Sequence, residues 1–454
     1  MTHHPAARDG RLSTSLALSF AATSLPLSAL GIAVSVHLPA YFAANLGVEL
    51  TVVAAAFALV RFIDIPIEPT LGILMDRTRS PIGRYRLWTI LGAPLLMLGL
   101  YMLMTAGKGV GRDYLITWLL VMYLGVSILL LAHSAWAASL ARSYEDRARL
   151  FGVMAAVGVG GAVSVLLIPI VMEQMGYSEP EGVQAMIWYI ILLAPVAVGL
   201  VVWRTPETPA MEVPGQRFRM RDYWDLIVDP SMSRILLADL ALSLGPGWMA
   251  ALYIFYSRDS LQLSGAATNL LLLIYIIAGV AGAPALAWIA TRISKHRTVM
   301  VCCVSYSLLL LALPFMPKGS LVGVAPILFL TGFFAAGFNV LTRAMTADVA
   351  DEVLLKQGKE RSGLLYAMTT LTTKIAAGGS IFLTFNVLSQ VGYDPKLGQA
   401  NSPEALTALM LCFLVGPIVF VMLGALTMIG YRLDSERAAD VRRQLEAREA
   451  ELAG

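Results

Sequence analysis

Residues 61–88 read RFIDIPIEPTLGILMDRTRSPIGRYRLW and join an apolar segment to a short basic turn. The apolar segment holds three ionisable residues, Arg61, Asp64 and Glu68, within eight positions. On a helix the positions i, i+3 and i+7 share one face. A charge at the centre of a bilayer costs about 2.5–3.5 kcal/mol. We therefore predict that this face looks into a protein interior or a water-filled cavity.

The composition of the chain is that of a polytopic membrane protein. Its 454 residues are 57% hydrophobic and 14% charged, with a mean hydropathy of +0.72, whereas soluble domains carry about 25% charge. The polar N-terminal stretch 1–11 predicts no cleavable signal peptide. Cys302, Cys303 and Cys412 lie in apolar runs, which predicts neither a disulfide framework nor a metal site.

Twelve apolar runs are each long enough to cross a hydrocarbon core of ~30 Å. The sequence therefore predicts an all-α integral membrane protein with twelve transmembrane helices. The predicted spans are 15–43, 50–74, 87–106, 115–140, 149–172, 185–203, 233–257, 265–290, 298–316, 321–347, 362–390 and 404–430.

One long polar connection, residues 204–232, divides the chain and is interpreted as a cytoplasmic linker. It separates a six-helix bundle at 1–203, which holds the acids of the opening stretch, from a second bundle at 233–430. The remaining segment, 431–454, has mixed charges at helical spacing and is predicted to be a solvated cytoplasmic helix.

The Lys and Arg residues predict the orientation of the chain in the membrane. The two terminal segments and the loops after the even-numbered spans carry 25 of them, and the opposite loops carry five. Both termini are therefore predicted to be cytoplasmic, in a multi-pass protein of the inner (plasma) membrane.

The two bundles resemble distant copies of each other. The turn LMDRTRSPIGRYR follows span two, and AWIATRISKHR follows span eight, its counterpart six spans later. Helix breakers stand in spans one and seven, at Pro26, Gly31, Pro39 and GPG 245–247. Two repeated six-helix halves are one common design of secondary transporters, in which the solute binds between the halves.

The acids of the opening stretch predict a coupling site for a cation. Arg61 can pair with Asp64, which leaves Glu68 to hold a proton or a monovalent cation such as Na⁺. Pro66 and Pro69 remove two backbone donors, which leaves carbonyl oxygens near the acids as further ligands. The alternative is a buried salt-bridge network that only stabilises the fold.

A lysine in the second half is the predicted partner of these acids. Lys374 lies in the middle of span eleven, within LLYAMTTLTTKIAAGGSIFL, and a buried ammonium needs an acid nearby. The alternative is a side chain that snorkels to the membrane interface. Neighbouring threonines, including Thr370, can pack or donate hydrogen bonds.

These motifs resemble those of the glycoside–pentoside–hexuronide:cation symporters, the melibiose-permease-like branch of the major facilitator superfamily. The resemblance rests on residues 61–88, on ADVADEVLLKQGKERSGLLYAMTTLTTKIAAGGS at 347–380, and on ARSYEDRARLFG after span four. It covers nearly the whole chain and implies the major facilitator fold, with cation-coupled transport of a sugar-like solute.

The resemblance also implies roles for individual residues. Asp64 and Glu68 match the two acids that bind the coupling Na⁺, Li⁺ or H⁺, and Arg61 matches the arginine beside them. Lys374 matches a lysine near that site, and Thr370 matches a nearby threonine. These five residues form the predicted cation-coupling set.

The sequence departs from the family pattern at three places. Glu68 stands where Asp is usual, which favours a proton as the coupling ion. Span one has no acid, and Ala132 stands at the helix-four position of a second sugar-binding acid. We therefore expect melibiose to be a poor substrate and an anionic saccharide or a more apolar glycoside to be a better one.

Four further residues are candidates for contact with the solute. His133 can contribute to proton coupling or solute contact, or it can be a hydrogen-bonded structural residue. Trp136 can stack on a sugar ring or pack in the core. Asn339 and Arg343 of span ten can face the solute cavity or the cytoplasmic gate.

Charged residues at the cytoplasmic ends of the spans are predicted to gate the conformational cycle. Asp76 stands at the C-terminal end of span two, where the helix dipole disfavours an acid, so it needs a cation such as Arg84. Asp239 of span seven can be an interior polar group, but its position near the cytoplasmic end favours a helix-terminal charge. The predicted gate residues are Asp76, Arg77, Arg84, Arg149, Asp348 and Asp351.

The sequence predicts a transporter and not an enzyme, because it holds no phosphate-binding loop, nucleophile elbow or metal-ligand cluster. We predict a cation-coupled symporter of a sugar or glycoside-like solute, acting as a monomer in the bilayer, without cofactor or nucleic acid. The alternatives are a symporter of lysolipids or other amphiphiles, and a membrane sensor or assembly protein on the same fold. A buried acid and lysine set favours transport over the last alternative.

Overall fold

The computed structural model describes residues 12–141, 143–207, 224, 226–358 and 361–453, and these are predominantly helical. Twelve long apolar helices are numbered in chain order, and a thirteenth, polar helix ends the chain. They are α1 (Thr14–Ala44), α2 (Leu50–Arg77), α3 (Arg84–Met104), α4 (Arg112–Leu140), α5 (Tyr144–Gln174), α6 (Glu179–Arg204), α7 (Pro230–Ser260), α8 (Gly265–Ile293), α9 (Lys295–Ala312), α10 (Leu321–Gln357), α11 (Ser362–Gln390), α12 (Pro403–Thr427) and α13 (Ser435–Ala453).

The predicted fold class is confirmed, because each of the twelve predicted spans corresponds to one of α1–α12. The largest difference is at the end of α10, which continues to Gln357 although its predicted span ends at 347. This extra segment is polar, and the left-handed Gly358 ends the helix as a C-cap. The hydropathy pattern marks the apolar part of this helix and misses its polar extension.

The chain forms two compact units, Met1–Val213 and Pro214–Gly454. In the first unit α1 packs on α5, and α4 packs on both α2 and α3. In the second unit α7 packs on α11, and α10 packs on both α8 and α9. The same pairings therefore recur six helices later, which is the internal repeat that the two basic turns predict.

Glycines allow α8 and α10 to approach each other closely. A Cβ atom added at Gly282 of α8 would lie 2.3 Å from the Phe333 carbonyl oxygen of α10. A Cβ atom added at Gly332 of α10 would lie 2.2 Å from the Tyr275 carbonyl oxygen of α8. Small residues at such contacts are typical of membrane helices, which associate by close packing.

The irregular segments of α1 and α7 do not coincide with the helix-breaking residues of the sequence. Helix α1 is interrupted by a turn at 22–23 and by a π-helical segment, Ala33–His37. Helix α7 ends in a π-helical segment, Tyr256–Ser260, while Pro246 lies inside continuous α-helix. Proline removes a single helical hydrogen bond, and a membrane helix packed against neighbours tolerates that loss.

A hydrogen-bonded network fixes the end of α7 to the loop between α11 and α12. The Arg258 guanidinium donates to both oxygens of the buried Asp259 carboxylate and to the Pro395 carbonyl. The Tyr393 hydroxyl donates to the same carboxylate. Burial, with the negative Asp259 beside it, raises the pKa of Tyr393, so this hydroxyl remains a donor.

The first residues of the predicted linker are held against the start of α3. The Glu207 carboxylate accepts hydrogen bonds from the backbone N–H groups of Tyr85 (2.9 Å) and Arg86 (3.0 Å). A carboxylate at a helix N-terminus satisfies donors that have no partner within the helix. Most of the predicted linker, 208–223 and residue 225, lies outside the described residues.

Candidate cation and solute sites

The candidate cation site is formed by α2 and α4 of the first unit. Asp64 of α2 is buried, with 3% of its surface exposed, and its Oδ1 accepts a hydrogen bond of 2.7 Å from the Ser127 hydroxyl of α4. A hydrogen bond to a charged group contributes about 1.5–3 kcal/mol. This donor from a second helix therefore fixes the carboxylate in the membrane interior.

The Arg61 side chain of α2 contacts an aromatic ring of α4. Its guanidinium lies over the Tyr123 ring of α4, 4.1 Å from the ring centroid. A cation–π contact of this kind contributes about 2 kcal/mol or more where water is excluded. The positive charge is thus held one helical turn from Ser127 on the face of α4 that contacts α2.

Glu68 lies one turn beyond Asp64 on α2 and is partly buried. Pro66 and Pro69 both lie inside this helix, and because proline has no N–H, two carbonyls of the preceding turn lack their usual helical donor. The Thr70 hydroxyl donates to the Pro66 carbonyl at 2.9 Å. We name Arg61, Asp64, Glu68, Tyr123 and Ser127 together the acid site.

The candidate residues of α11 belong to the second unit. Lys374 is partly buried in the helix interior. Thr370 is exposed, and its hydroxyl donates to the Tyr366 carbonyl of the preceding turn at 2.9 Å.

The geometry of His133 and Trp136 is that of packing residues. His133 is 3% exposed, its ring stacks on Phe20 at 4.5 Å, and its Nε2 lies 2.9 Å from the Phe20 carbonyl oxygen. Trp136 is fully buried in a core cluster with Phe20 and Tyr85, and its Nε1 donates to the Pro206 carbonyl. This geometry favours the structural alternative for each of the two residues.

Asn339 and Arg343 form an exposed polar pair on α10. The Arg343 Nε donates to Asn339 Oδ1 at 3.2 Å, and the Tyr366 hydroxyl of α11 donates to the Arg343 carbonyl at 3.5 Å. These residues lie within apolar membrane helices, where an exposed charge is costly in lipid. The pair is therefore suited to a water-filled passage.

The expectation that Asp239 is a helix-terminal charge is wrong. It is the tenth residue of α7, it is 5% exposed, and its Oδ2 accepts hydrogen bonds from the hydroxyls of Thr372 (2.6 Å) and Thr373 (3.2 Å) of α11. The sequence favoured the helix end because Asp239 follows the linker closely. Helix α7 begins at Pro230, so Asp239 lies more than two helical turns from that end.

The predicted gate residues of the first unit lie at helix ends. Arg84 Nη1 is 3.8 Å from Asp76 Oδ1, and the Asp76 side chain is 72% exposed, so this ion pair contributes at most about 1 kcal/mol. Arg77 is exposed in the last turn of α2. Arg149 of α5 donates to the Leu12 carbonyl at 3.1 Å and so ties α5 to the start of α1.

The gate residues of the second unit contact the C-terminal helix, which is largely exposed, as expected, but also docks through one face. Arg442 of α13 lies 3.6 Å from Asp348 and 3.4 Å from Asp351, and Lys295 lies 2.5 Å from Asp348. Val441 of α13 is 1% exposed. Residues of α8, α10 and α13 line a cavity of about 470 Å³ beside this contact. A polar tail with few apolar positions gave no signal of this docking.

Sequence reasoning also missed Tyr123, Ser127 and the buried position of Asp239. Tyr123 and Ser127 are spaced i, i+4 on α4, so they share a face. That spacing would have identified them once α4 was known to pack on α2. The equivalent α8–α10 pairing in the second unit supports the same assignment.

The fold and these sites define a class of protein before any comparison. The twelve apolar helices form a repeated pair of six-helix units with ionisable groups inside the bundles, an arrangement typical of membrane transporters. A family model described as MFS/sugar transport protein matches residues 19–435, and the chain belongs to this family.

Known relatives agree with that assignment. The isoprimeverose transporter of Lactiplantibacillus pentosus is 23% identical over 430 residues, which cover 88% of this chain and 85% of that transporter. The glucuronide carrier protein homolog of Escherichia coli (strain K12) is 21% identical over 417 residues, 90% of each chain. The human sodium-dependent lysophosphatidylcholine symporter 1 is 26% identical over 199 residues, which are 43% of this chain and 36% of the symporter.

A solved structure shares the fold. The nucleoside transporter NupG matches with a TM-score of 0.67 at 14% identity, over 92% of this chain and 100% of that one. The resemblance to the glycoside–pentoside–hexuronide:cation symporters is confirmed. The protein is a multi-pass secondary active transporter, not an enzyme, and it couples a cation to the movement of a sugar-like solute.

Proposed function

We propose that this protein is a proton-coupled symporter of an anionic saccharide and that the acid site binds the coupling proton. The observation that carries the proposal is the buried Asp64, which accepts from Ser127 beside the Arg61–Tyr123 contact. Such a carboxylate can accept the hydrogen bond from Ser127 when it is ionised. It can bind a proton in place of that hydrogen bond without leaving the interior. Glu68, longer by one methylene than the Asp usual in the family, favours a proton over Na⁺. Lys374 and Thr370 of α11 stay predicted members of the coupling set.

The proposed solute contacts lie on the exposed polar pair of the second unit. Arg343 offers a counter-charge for a carboxylate or sulfonate, and Asn339 holds its guanidinium in place. The first unit lacks the two acids that would accept hydroxyls of a neutral sugar, and each unpaired hydroxyl is costly to desolvate. The glucuronide carrier homolog is a relative whose name specifies an anionic saccharide.

The test is thermal stabilisation of the purified full-length protein by methyl glucuronide, melibiose and phenyl glucoside. We expect methyl glucuronide to stabilise the protein most and Arg343→Gln to abolish that effect. Arg292→Gln is the control, because Arg292 lies at the end of α8 against Trp288. Strongest stabilisation by melibiose, unchanged in Arg343→Gln, would refute the anionic solute.

We further propose that both termini are cytoplasmic and that the membrane is the inner membrane, because the basic turns require it. Single cysteines at Arg79 and Lys108, both exposed, test this orientation in a variant whose native Cys302, Cys303 and Cys412 are replaced by Ser. An impermeant maleimide added to whole cells should label position 108 and not position 79. Labelling of position 79 from outside would reverse the topology.

The second candidate function is symport of a lysolipid. The match to the lysophosphatidylcholine symporter favours it, although that match covers less than half of either chain. Lysophosphatidylcholine and methyl glucuronide should be compared as competitors in nanodisc-embedded protein. Displacement of the glucuronide only by other uronides supports the first proposal, and preferential binding of the lysolipid supports the second.

A further inference from the structure

A buried carboxyl group of the second unit takes no part in the coupling set proposed above. Asp239 of α7 accepts hydrogen bonds on Oδ2 from Thr372 (2.6 Å) and Thr373 (3.2 Å) of α11. Burying a carboxylate is expensive unless it is paired or takes up a proton. Its position inside the α7–α11 contact therefore requires either hydrogen-bond partners or a bound proton.

The two threonines can satisfy both protonation states of this carboxyl. Each hydroxyl also lies within hydrogen-bonding distance of the Thr369 carbonyl oxygen, 2.8 Å for Thr372 and 3.0 Å for Thr373. When Asp239 is ionised, the hydroxyls donate to it. When Asp239 is protonated, it donates to a threonine oxygen, and the hydroxyls turn to the Thr369 carbonyl. In either state Oδ2 and both threonine hydroxyls keep a hydrogen-bond partner.

The contacts at Asp239 are those of a hydrogen-bonded carboxyl. Its Oδ2 lies 2.6 and 3.2 Å from the two threonine hydroxyl oxygens. Arg343 of α10 is the charged group that faces Asp239 from that helix, and Thr342 of the same helix lies within hydrogen-bonding reach of the carboxyl.

Among the described residues, Arg343 is the charged group that acts on this carboxyl. Glu404, the one charged residue of α12, stands at the opposite end, because Gly424 and not Glu404 packs beside Leu242. Arg234 of α7 donates to the Ile429 carbonyl at the helix start. Lys374 follows Thr373 on α11 and belongs to the coupling set.

The counterpart of α7 in the first unit carries no acid. Helix α1, which packs on α5 as α7 packs on α11, has no Asp or Glu between positions 14 and 44. An acid in this helix is therefore a feature of the second unit.

We propose that Asp239, with Thr372, Thr373 and the Thr369 carbonyl, is a second proton-binding site, separate from the acid site. The proton comes from water and returns to it, and no bond other than O–H forms or breaks. The threonines of α11 donate to the ionised carboxylate, whereas the protonated carboxyl of α7 donates to a threonine. Protonation therefore changes the hydrogen bonds between the two helices and so links the state of this carboxyl to their packing.

Infrared difference spectroscopy of the full-length protein in liposomes tests the proposal. Spectra recorded between about pH 4 and pH 9 report the carboxylic C=O band as groups titrate. Subtracting Asp239→Asn from the wild type should leave one titrating carboxyl. Its absence would refute the proposal, as would loss of the same band in Asp64→Asn.

Two further variants separate proton binding from structural support. Thr372→Val/Thr373→Val keeps the carboxyl and removes its donors, so we expect the titration midpoint of the band to move by about one pH unit or more. Thr407→Val is the control, because this exposed hydroxyl of α12 bonds within its own helix. An unchanged midpoint in the double variant would also refute the proposal. If Asp239→Asn does not fold, Asp239→Glu supplies the subtraction, with a displaced band expected.

Discussion

At the scale of single residues, the acid site joins two helices through a hydrogen bond and an aromatic contact. Ser127 supplies the donor to Asp64, and Tyr123 supplies the surface on which Arg61 rests. Neither partner carries a charge, so these two contacts hold the ionisable groups of α2 without adding a charge to the site.

Ser127→Ala should change the concentration of coupling ion that gives half-maximal uptake by about tenfold or more. The reason is the loss of a hydrogen bond to a buried charged group, worth about 1.5–3 kcal/mol, and 1.4 kcal/mol is a factor of ten. Uptake into proteoliposomes at a series of ion concentrations measures this change. Ser139→Ala on the same helix is the control, because Ser139 donates to the Trp136 carbonyl. Equal ion dependence in both variants would exclude Ser127 from the site.

At the scale of helices, close packing between α8 and α10 fixes the second unit. A Cβ at Gly282 would collide with the Phe333 backbone, whereas a Cβ at Gly279, one turn earlier, would lie 3.6 Å from its nearest neighbour. Gly282→Ala should therefore lower the melting temperature of the purified protein, and Gly279→Ala should leave it nearly unchanged. An equal effect of the two substitutions would show that the contact is not tight.

The docking of α13 on α10 gives a second prediction at this scale. Val441→Glu places a charge in a fully enclosed position of that contact, and burying an unpaired charge is strongly unfavourable. We expect α13 to detach and limited trypsin digestion to cut it faster than in the wild type. Glu446→Gln, at an exposed position of the same helix, should not change the rate. Protection that persists in Val441→Glu would refute the docking.

Hydropathy and motif spacing predicted the helices, the repeat and the family, because an apolar run of fixed length determines a membrane span. They could not predict which side chains meet. The Asp64–Ser127 contact joins positions 63 residues apart, and the Asp239–Thr372 contact joins positions 133 residues apart. Such pairs follow from helix packing, which depends on small residues such as Gly282 more than on hydropathy. The docking of the tail helix was missed for the same reason.

At the scale of the whole molecule, the protein is a symporter built from two repeated units that carry different ionisable groups. The first unit holds the acid site on α2 and α4. The second holds Asp239 between α7 and α11, with Arg343 nearby on α10. Alternating access in this family moves one repeat against the other, so we infer that protonation in either unit biases that movement.

The central claim, proton coupling through the acid site, is tested by proteoliposomes that enclose a pH-sensitive dye. Methyl glucuronide added outside should acidify the lumen of wild-type vesicles. It should not do so with Asp64→Asn or Glu68→Gln, because each removes a negative charge that the proton requires. Asp113→Asn, at an exposed position in the first turn of α4, is the control. Unchanged acidification in Asp64→Asn and Glu68→Gln would contradict the account, as would solute uptake by the wild type with no movement of protons.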